Sequence, residues 1–356
     1  MPVPHAAILH ELRAHLGEWY PELADDVSVD LVDLDPRARS QLMRVRVVGR
    51  DAPRRTIIVK RTPDAPVAFD DRPRLVAPTD PPERLAQEAA GLELAAALAA
   101  ANIDPLIGAV RPLGILPETG ALAMEAYDGR PLHEMLIPGL VRRSGDLRAT
   151  ALVRRAGRWL RAFHALAPED RPVRQGSRDA IVEAFQAVGA FLAANGAADD
   201  VDAIMRAGVD AVTRLPDPLP TAICHGDFAP RNILVDPSGR VAVIDISVKW
   251  QAPIYEDLAS LLVALRMSRA NALTRGRVFG PAVGVLEPAF LEGYFDGRPI
   301  PRAAIRVYEL LLVLDKWSSL LSRSTDAAPR RRLQERAIHD HFAVSSRLLA
   351  RRLIRR

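Results

Sequence analysis

Residues 222–247 read AICHGDFAPRNILVDPSGRVAVIDIS. ILVD and RVAVID are apolar, strand-forming runs separated by Pro-Ser-Gly, a turn signal. Folded as an antiparallel hairpin with Val235 opposite Val241, they put Asn232 opposite Ile244 and Asp245 opposite Arg231. Asn232 and Asp245 then meet at the open end of the hairpin. An amide oxygen and a carboxylate side by side are hard oxygen donors suited to Mg2+, which takes few protein ligands and completes its shell with phosphate oxygens and water. Asp227 lies on the loop entering the hairpin, where it can face the same spot without being consumed by a metal. A carboxylate beside a metal-bound phosphate can orient a hydroxyl and take its proton.

The chain around this stretch has 356 residues, 49 % of them apolar, enough for one large domain or two moderate ones. Its formal charge of +4, from 48 basic and 44 acidic residues, is too weak to argue for a nucleic-acid partner. Lys60, Lys249 and Lys316 are the only lysines in an arginine-rich chain, so each marks a place where a compact ammonium stands out. The single cysteine, Cys224, excludes an intrachain disulfide and suits a reducing compartment. The opening MPVPHAAILHELRAHL lacks the pattern of a signal peptide. No apolar run approaches the roughly 18 residues of a membrane span. The expected location is the cytoplasm.

Ile8, Leu12, Leu16 and Trp19 recur at helical spacing over 5–19. VSVDLVDL (27–34), LMRVRVVG (42–49) and RTIIVKR (55–61) read as strands, the second alternating charged and apolar residues. Six prolines between 62 and 82 bar helix and central strand there. ERLAQEAAGLELAAALAA (83–100) is helical, and VRPLGIL (110–116) and GALAMEAY (120–127) are two more strands. Beyond DGRP (128–131) helical patterns dominate, at 149–167, 179–195, 255–270 and 305–323. The pattern is a small, mostly β lobe joined near 124–130 to a larger, mostly α lobe.

H-G-D-x-x-x-x-N followed by an apolar run ending in I-D resembles the catalytic segment of the aminoglycoside phosphotransferase and choline kinase family, whose fold is similar to that of protein kinases. The resemblance runs over about 27–323. It implies an α+β, bilobal, protein-kinase-like fold: an antiparallel β-sheet lobe over 1–123, a hinge at 124–130 and a helical lobe over 131–356. It implies ATP or GTP as co-substrate, Mg2+ held by Asn232 and Asp245, Asp227 as the catalytic base and His225 as a loop-structuring residue. Such a site needs a cation on the nucleotide phosphates, anchored by an acid on a packed helix. Lys60 ends the run IIVK, and Glu88 resembles the family's E-x-x-x-L acid, with Glu83 and Glu93 as rivals. MEAYDGRPL (124–132) looks like the hinge, with Met124 before it and the backbone of Glu125 and Ala126 as the adenine-binding segment. Phe163-His164 stands where the family usually has Leu-His, and His164 reads as a satisfied core or cap histidine. Asp257 in PIYEDLASLL matches an aspartate expected to hold the catalytic loop or cap its helix.

The chain departs from the family at its phosphate loop. DLDPRARSQLMRV (33–45) has no glycine to let backbone amides approach phosphates. Ser40 is its one small hydroxyl, and Arg37 and Arg39 could supply cationic contacts instead. The alternative is a degenerate loop, which points to a nucleotide-binding pseudokinase serving as a regulatory or scaffold module. Ile246-Ser247 stands where an aromatic and an acid are common in the family. The expected partner is a small-molecule hydroxyl acceptor. Sugars and amino alcohols rank ahead of aminoglycoside antibiotics, because residues 165–220 hold nine acids and five arginines, a weak acidic bias and no polycation trap. LRMSRANALTRGR (265–277) carries four arginines that could meet an anionic acceptor or simply be solvated. From Ala328 to Arg356 there are nine arginines, one Glu and one Asp. That tail reads as a solvated helix, with peripheral contact to anionic lipid as the rival reading. A metal-dependent hydrolase built on His225 and Asp227 lacks further histidine ligands nearby.

Overall fold

The computed structural model describes residues 5–23, 27–36, 40–50, 53–62, 72–75, 79–102, 104–141, 147–167, 171–196, 201–267, 271, 280–322 and 329–354. The helices are α1 (His5–Trp19), α2 (Pro81–Ala101), α3 (Leu132–Val141), α4 (Leu147–His164), α5 (Arg178–Ala194), α6 (Val201–Val212), α7 (Tyr255–Arg266), α8 (Gly280–Phe295), α9 (Arg302–Leu321) and α10 (Pro329–Ile354). The strands are β1 (Val27–Pro36), β2 (Gln41–Gly49), β3 (Arg55–Arg61), β4 (Pro112–Leu116), β5 (Ala121–Glu125), β6 (Arg130–Pro131), β7 (Thr221–Ile223), β8 (Ile233–Val235), β9 (Val241–Val243) and β10 (Gln251–Pro253). They pack as two compact units. One comprises Met1–Val67, Pro78–Gly129 and Leu234–Ser247, the other Ala68–Ala77, Arg130–Ile233 and Val248–Arg356.

In the first unit β1 to β5 form an antiparallel sheet in the order β1-β2-β3-β5-β4. Period-two alternation gives it two faces. Met43, Val45, Val47, Ile57 and Val59 are buried against Ile8, Leu12, Leu16 and Trp19 of α1. The residues between them face the other way. Leu122 and Met124 pack there against Leu85, Ala89 and Leu92 of α2, and Lys60 is paired with Leu122 across the sheet. Pro81 and Pro82 open α2 behind the N-cap position Asp80. The prolines that bar a helix further upstream therefore begin one here, because the first helical positions need no N–H donor.

The turn of the hairpin also belongs to this unit. Asp236 N donates to Arg240 O at 3.1 Å, the pairing that Val235 opposite Val241 requires. Asp236 Oδ1 accepts from Arg240 N at 2.9 Å and from Ser238 Oγ at 2.6 Å. Gly239 takes the positive φ of 85° that closes the turn.

The second unit is mostly helical. Its predicted helices are found, with residues 268–270 outside the described residues. Helices α4 and α8 approach through glycine. A Cβ on Gly157 would lie 2.3 Å from Phe290 O, and one on Gly293 would lie 2.0 Å from Arg154 O. That closeness stacks Trp159 and Phe163 of α4, and brings Phe228 between Trp159 and Phe290. Of the proline-rich segment, Arg72–Leu75 is described and is fastened here. Arg72 Nη1 pairs with Asp315 Oδ1 at 3.3 Å, and Leu75 O accepts from Arg174 Nη1 at 2.8 Å. The basic tail forms α10, whose Phe342, Leu349 and Leu353 are buried and which packs on α6 and α9. Val344, Leu348 and Ile354 of the same helix stay exposed. No described helix is long and apolar enough to cross a membrane.

Candidate active site

Lys60 sits at the end of β3 on the sheet face that meets α2. Its Nζ lies 2.7 Å from Glu88 Oε2 and 2.7 Å from Asp245 Oδ1. The Lys60 and Glu88 side chains are buried, while Asp245 is 36 % exposed. Glu88 is therefore the acid paired with Lys60. Its second oxygen accepts from Arg84 Nε at 3.2 Å. Of the rivals, Glu83 accepts from Gln87 and Glu93 is exposed. Asp245 follows β9 with φ 61°, a left-handed conformation uncommon outside glycine and tolerated best by Asp and Asn. Gly91, one turn beyond Glu88, explains how α2 comes so near. A Cβ there would lie 2.5 Å from Ile246 O and 2.7 Å from Ile246 Cβ. Sequence reasoning missed Gly91, though a lone glycine inside QEAAGLEL is a signal of close backbone approach.

Where β3 begins and β5 ends in the same sheet, a cavity of about 360 Å³ is lined by residues including Tyr20, Arg44, Thr56, Glu125, Ala126 and Tyr127. Met124 is buried beside it in sequence. Glu125 turns its carboxylate to Tyr20 Oη at 2.9 Å and Arg111 Nη1 at 3.0 Å. Burial and the Glu125 carboxylate push the Tyr20 phenol well above its ordinary range. Ala126 N donates to Thr56 O at 2.9 Å. Its N–H is committed to the sheet, so of the Ala126 backbone only the carbonyl remains to be considered for a nucleobase. Ser40 is half-buried just before β2. Arg37 and Arg39 lie outside the described residues.

The loop His225–Asp227 belongs to the second unit and is held from beneath by Asp257, the third residue of α7. The Asp257 carboxylate is fully buried. It accepts from His225 N at 2.6 Å, Gly226 N at 2.9 Å and His164 Nε2 at 3.0 Å. Burial pushes its carboxyl upward, but the hydrogen bond and charge of His164, with help from His225, outweigh this and hold it below the usual carboxylate range. His164 also meets Tyr294 Oη through Nδ1 at 2.8 Å, so it is the satisfied core histidine expected. His225 is buried, and its Nδ1 accepts from Asp227 N at 3.1 Å. Gly226, with φ 81°, makes the sharp bend between them.

His164, Cys224 and Asp257 bring three donor atoms within 4.8 Å of one another. Burial pushes the Cys224 thiol well up, away from the thiolate a metal would need. Both Asp257 oxygens already accept hydrogen bonds. The trio braces the loop.

Asp227 is 44 % exposed. Arg231 Nη2 forms an ion pair with its Oδ2, and Asn232 Nδ2 donates to Asp227 O at 2.9 Å and to Oδ2 at 3.2 Å. That engagement of the amide nitrogen leaves the Asn232 oxygen as the end available to a cation. The Arg231 contact was not anticipated from sequence.

The buried Lys60–Glu88 pair joins β3 to α2 in the sheet unit, and the Asp227 loop lies in the helical unit. The chain belongs to the phosphotransferase enzyme family, whose model matches residues 41–299. By family it is a phosphotransferase enzyme.

Among solved structures it is similar to a choline/ethanolamine kinase family protein from Mesorhizobium loti (18 % identity, 96 % of this chain and 94 % of that one, TM-score 0.54). It is similar also to choline kinase LicA from Streptococcus pneumoniae (14 %, 96 % and 100 %, 0.51). A third is spectinomycin phosphotransferase APH(9)-Ia, solved with ADP and spectinomycin (13 %, 98 % and 99 %, 0.51). At these identities the likeness is one of fold. Comparison with curated protein sequences returns no match.

Proposed function

We propose that the protein transfers the γ-phosphoryl group of ATP or GTP to a hydroxyl of a sugar-like or amino-alcohol-like acceptor. The observation that carries this reading is Lys60, buried between Glu88 and Asp245, in a chain that also keeps Asp227 and Asn232. A scaffold that only binds nucleotide needs no base on its loop, so the pseudokinase reading ranks second.

In this reading the Lys60 ammonium, positioned by Glu88, meets the nucleotide phosphates. Asn232 and Asp245 would hold Mg2+, for which an amide oxygen and a carboxylate are fitting hard donors. The ion would neutralise charge on the phosphates. Asp227 accepts the proton of the acceptor hydroxyl. The acceptor oxygen forms a bond to the γ-phosphorus as the bond to the bridging oxygen breaks, and the electron pair leaves with the nucleoside diphosphate. Asp257 keeps the loop in place through the amides of His225 and Gly226.

The test is transfer from ATP and from GTP to a panel of sugars, amino alcohols and aminoglycosides with Mg2+. Removal of a positioned base costs about 10²- to 10⁴-fold, so Asp227→Ala should lose transfer by that order while still binding nucleotide. Nucleotide binding without transfer to any member of the panel would favour the pseudokinase.

A further inference from the structure

Asp227 does not stand alone on its loop. Its Oδ2 is shared by the Arg231 guanidinium and the Asn232 amide. A hydroxyl that gives its proton to this carboxylate arrives beside the Arg231 guanidinium. The Arg231 side chain is 55 % exposed, so nothing packs it permanently into place. An arginine four residues from the proposed base is therefore an exposed cation beside the point of proton transfer.

The acids around the loop sharpen the point. The Asp257 carboxylate is taken by His164 and two loop amides. Glu256, its buried neighbour on α7, is paired with Arg174. Asp227 is paired with Arg231. These three carboxylates are each already matched, so none of them awaits an ammonium. The described acids of residues 171–217 lie elsewhere: Asp179, Glu183, Asp202, Asp210 and Asp217 are exposed on α5, α6 and the turn that follows.

From this arrangement we infer that Arg231 selects the acceptor, and that the acceptor is a hydroxy compound carrying a carboxylate or phosphate a few atoms from the reacting hydroxyl. The inference rests on the phosphotransferase reading above and narrows its acceptors to those that bear an anion, an amino alcohol among them only where a carboxylate or phosphate accompanies the amine. In the free protein the guanidinium pairs with Asp227 Oδ2 and leaves the side chain 44 % exposed. An acceptor anion draws the guanidinium to itself, because a planar fork matches a carboxylate or phosphate with two parallel hydrogen bonds. The exchange releases Asp227 Oδ2 from the guanidinium as the hydroxyl arrives. A neutral acceptor leaves the guanidinium on the base, and a cationic one is repelled by it. Arg231 is a binding residue in this account, and its loss shows first in acceptor KM.

The experiment compares paired acceptors that differ in charge: gluconate against glucose, glycerate against glycerol, glucose 6-phosphate against glucose, with choline as the cationic member. Wild type, Arg231→Gln and Arg231→Lys are each assayed with ATP and Mg2+. In wild type, kcat/KM should favour the anionic member of at least one pair. A charged, forked hydrogen bond corresponds to about 10- to 100-fold in affinity, so Arg231→Gln should shrink that preference by this order, mainly through KM. Arg231→Lys should restore part of it, since the charge returns without the fork. Carboxylate and phosphate pairs tell which anion is meant. A wild-type enzyme that transfers to glucose, glycerol or choline in preference to every anionic partner overturns the inference and leaves the phosphotransferase reading standing. So does an Arg231→Gln variant that lowers all acceptors equally. A wild type that transfers to nothing in the panel counts against both.

Discussion

Replacing Gly91 by alanine tests the placement of Asp245 without touching any charged group. In an ordinary helix interior the change stabilises by about 1 kcal/mol, because alanine has less backbone freedom to lose. At Gly91 the added Cβ would sit 2.5 Å from Ile246 O and 2.7 Å from Ile246 Cβ. Both are far inside van der Waals contact, and one is backbone, which cannot rotate away. Overpacking of this kind costs about 1–3 kcal/mol, so the net effect should be a loss of up to about 2 kcal/mol. Gly17 in α1 is the control: it is exposed and nothing lies within 4 Å of its Cβ position, so Gly17→Ala should be neutral or stabilising. Unfolding free energies of the two variants, from urea titration, should therefore diverge by about 1–3 kcal/mol. Nucleotide affinity, measured by calorimetry, should fall only for Gly91→Ala, because Ile246 adjoins Asp245 and Glu88 lies one turn away. If Gly91→Ala proves as stable as Gly17→Ala and binds nucleotide normally, the close approach of α2 to Ile246 is wrong, and with it the account of how Asp245 is held.

Lys60→Met removes the cation between Glu88 and Asp245, and breaking a buried pair costs about 3 kcal/mol. Melting temperature and nucleotide affinity should both fall, and Lys60→Arg should not restore binding, since the larger fork does not fit a point contact 2.7 Å from each of two carboxylates. Asp257→Asn removes the charge that holds two loop amides and His164. It should cost about 1–3 kcal/mol and lower kcat more than nucleotide affinity, read from paired unfolding and kinetic measurements. Burial pushes the Glu309 carboxyl up to about 7 from an ordinary 4.5, against the opposing pull of Arg266. A raised folded value means that its contribution to stability is fully present below about 4.5 and is lost as pH rises through 7. Thermal midpoints should therefore decline between these pH values, and Glu309→Gln should flatten that decline. An unchanged slope in the variant would place the titration elsewhere.

Much of the site is legible in the order of the amino acids. The turn Pro-Ser-Gly and two apolar runs imply the register that Asp236 and Arg240 adopt, because hairpin pairing follows from residues close in the chain. The rarity of lysine singles out Lys60. Helical spacing locates α1, α2, α4, α5, α7 and α9, since their apolar stripes repeat locally. The strands β6, β7 and β10, two or three residues each, are too short to show any period.

Other features belong to the folded chain alone. The choice of Glu88 over Glu83 and Glu93 depends on which turn of α2 faces β3. Gly91 is needed because Ile246 passes against that helix, a contact between distant residues. Ala126 uses its N–H for Thr56 because the sheet's hydrogen bonding extends one residue past β5. Arg231 reaches Asp227 because a turn, closed by Asn232 N on Ala229 O at 2.9 Å, brings it back toward the loop. The class of chemistry is written locally, since the acid, amide and lysine that perform it are marked by spacing and residue type. Which charges neutralise one another, and so which acceptor can enter, is set only where side chains meet in the fold, because an ion pair depends on separations in space that no local period records.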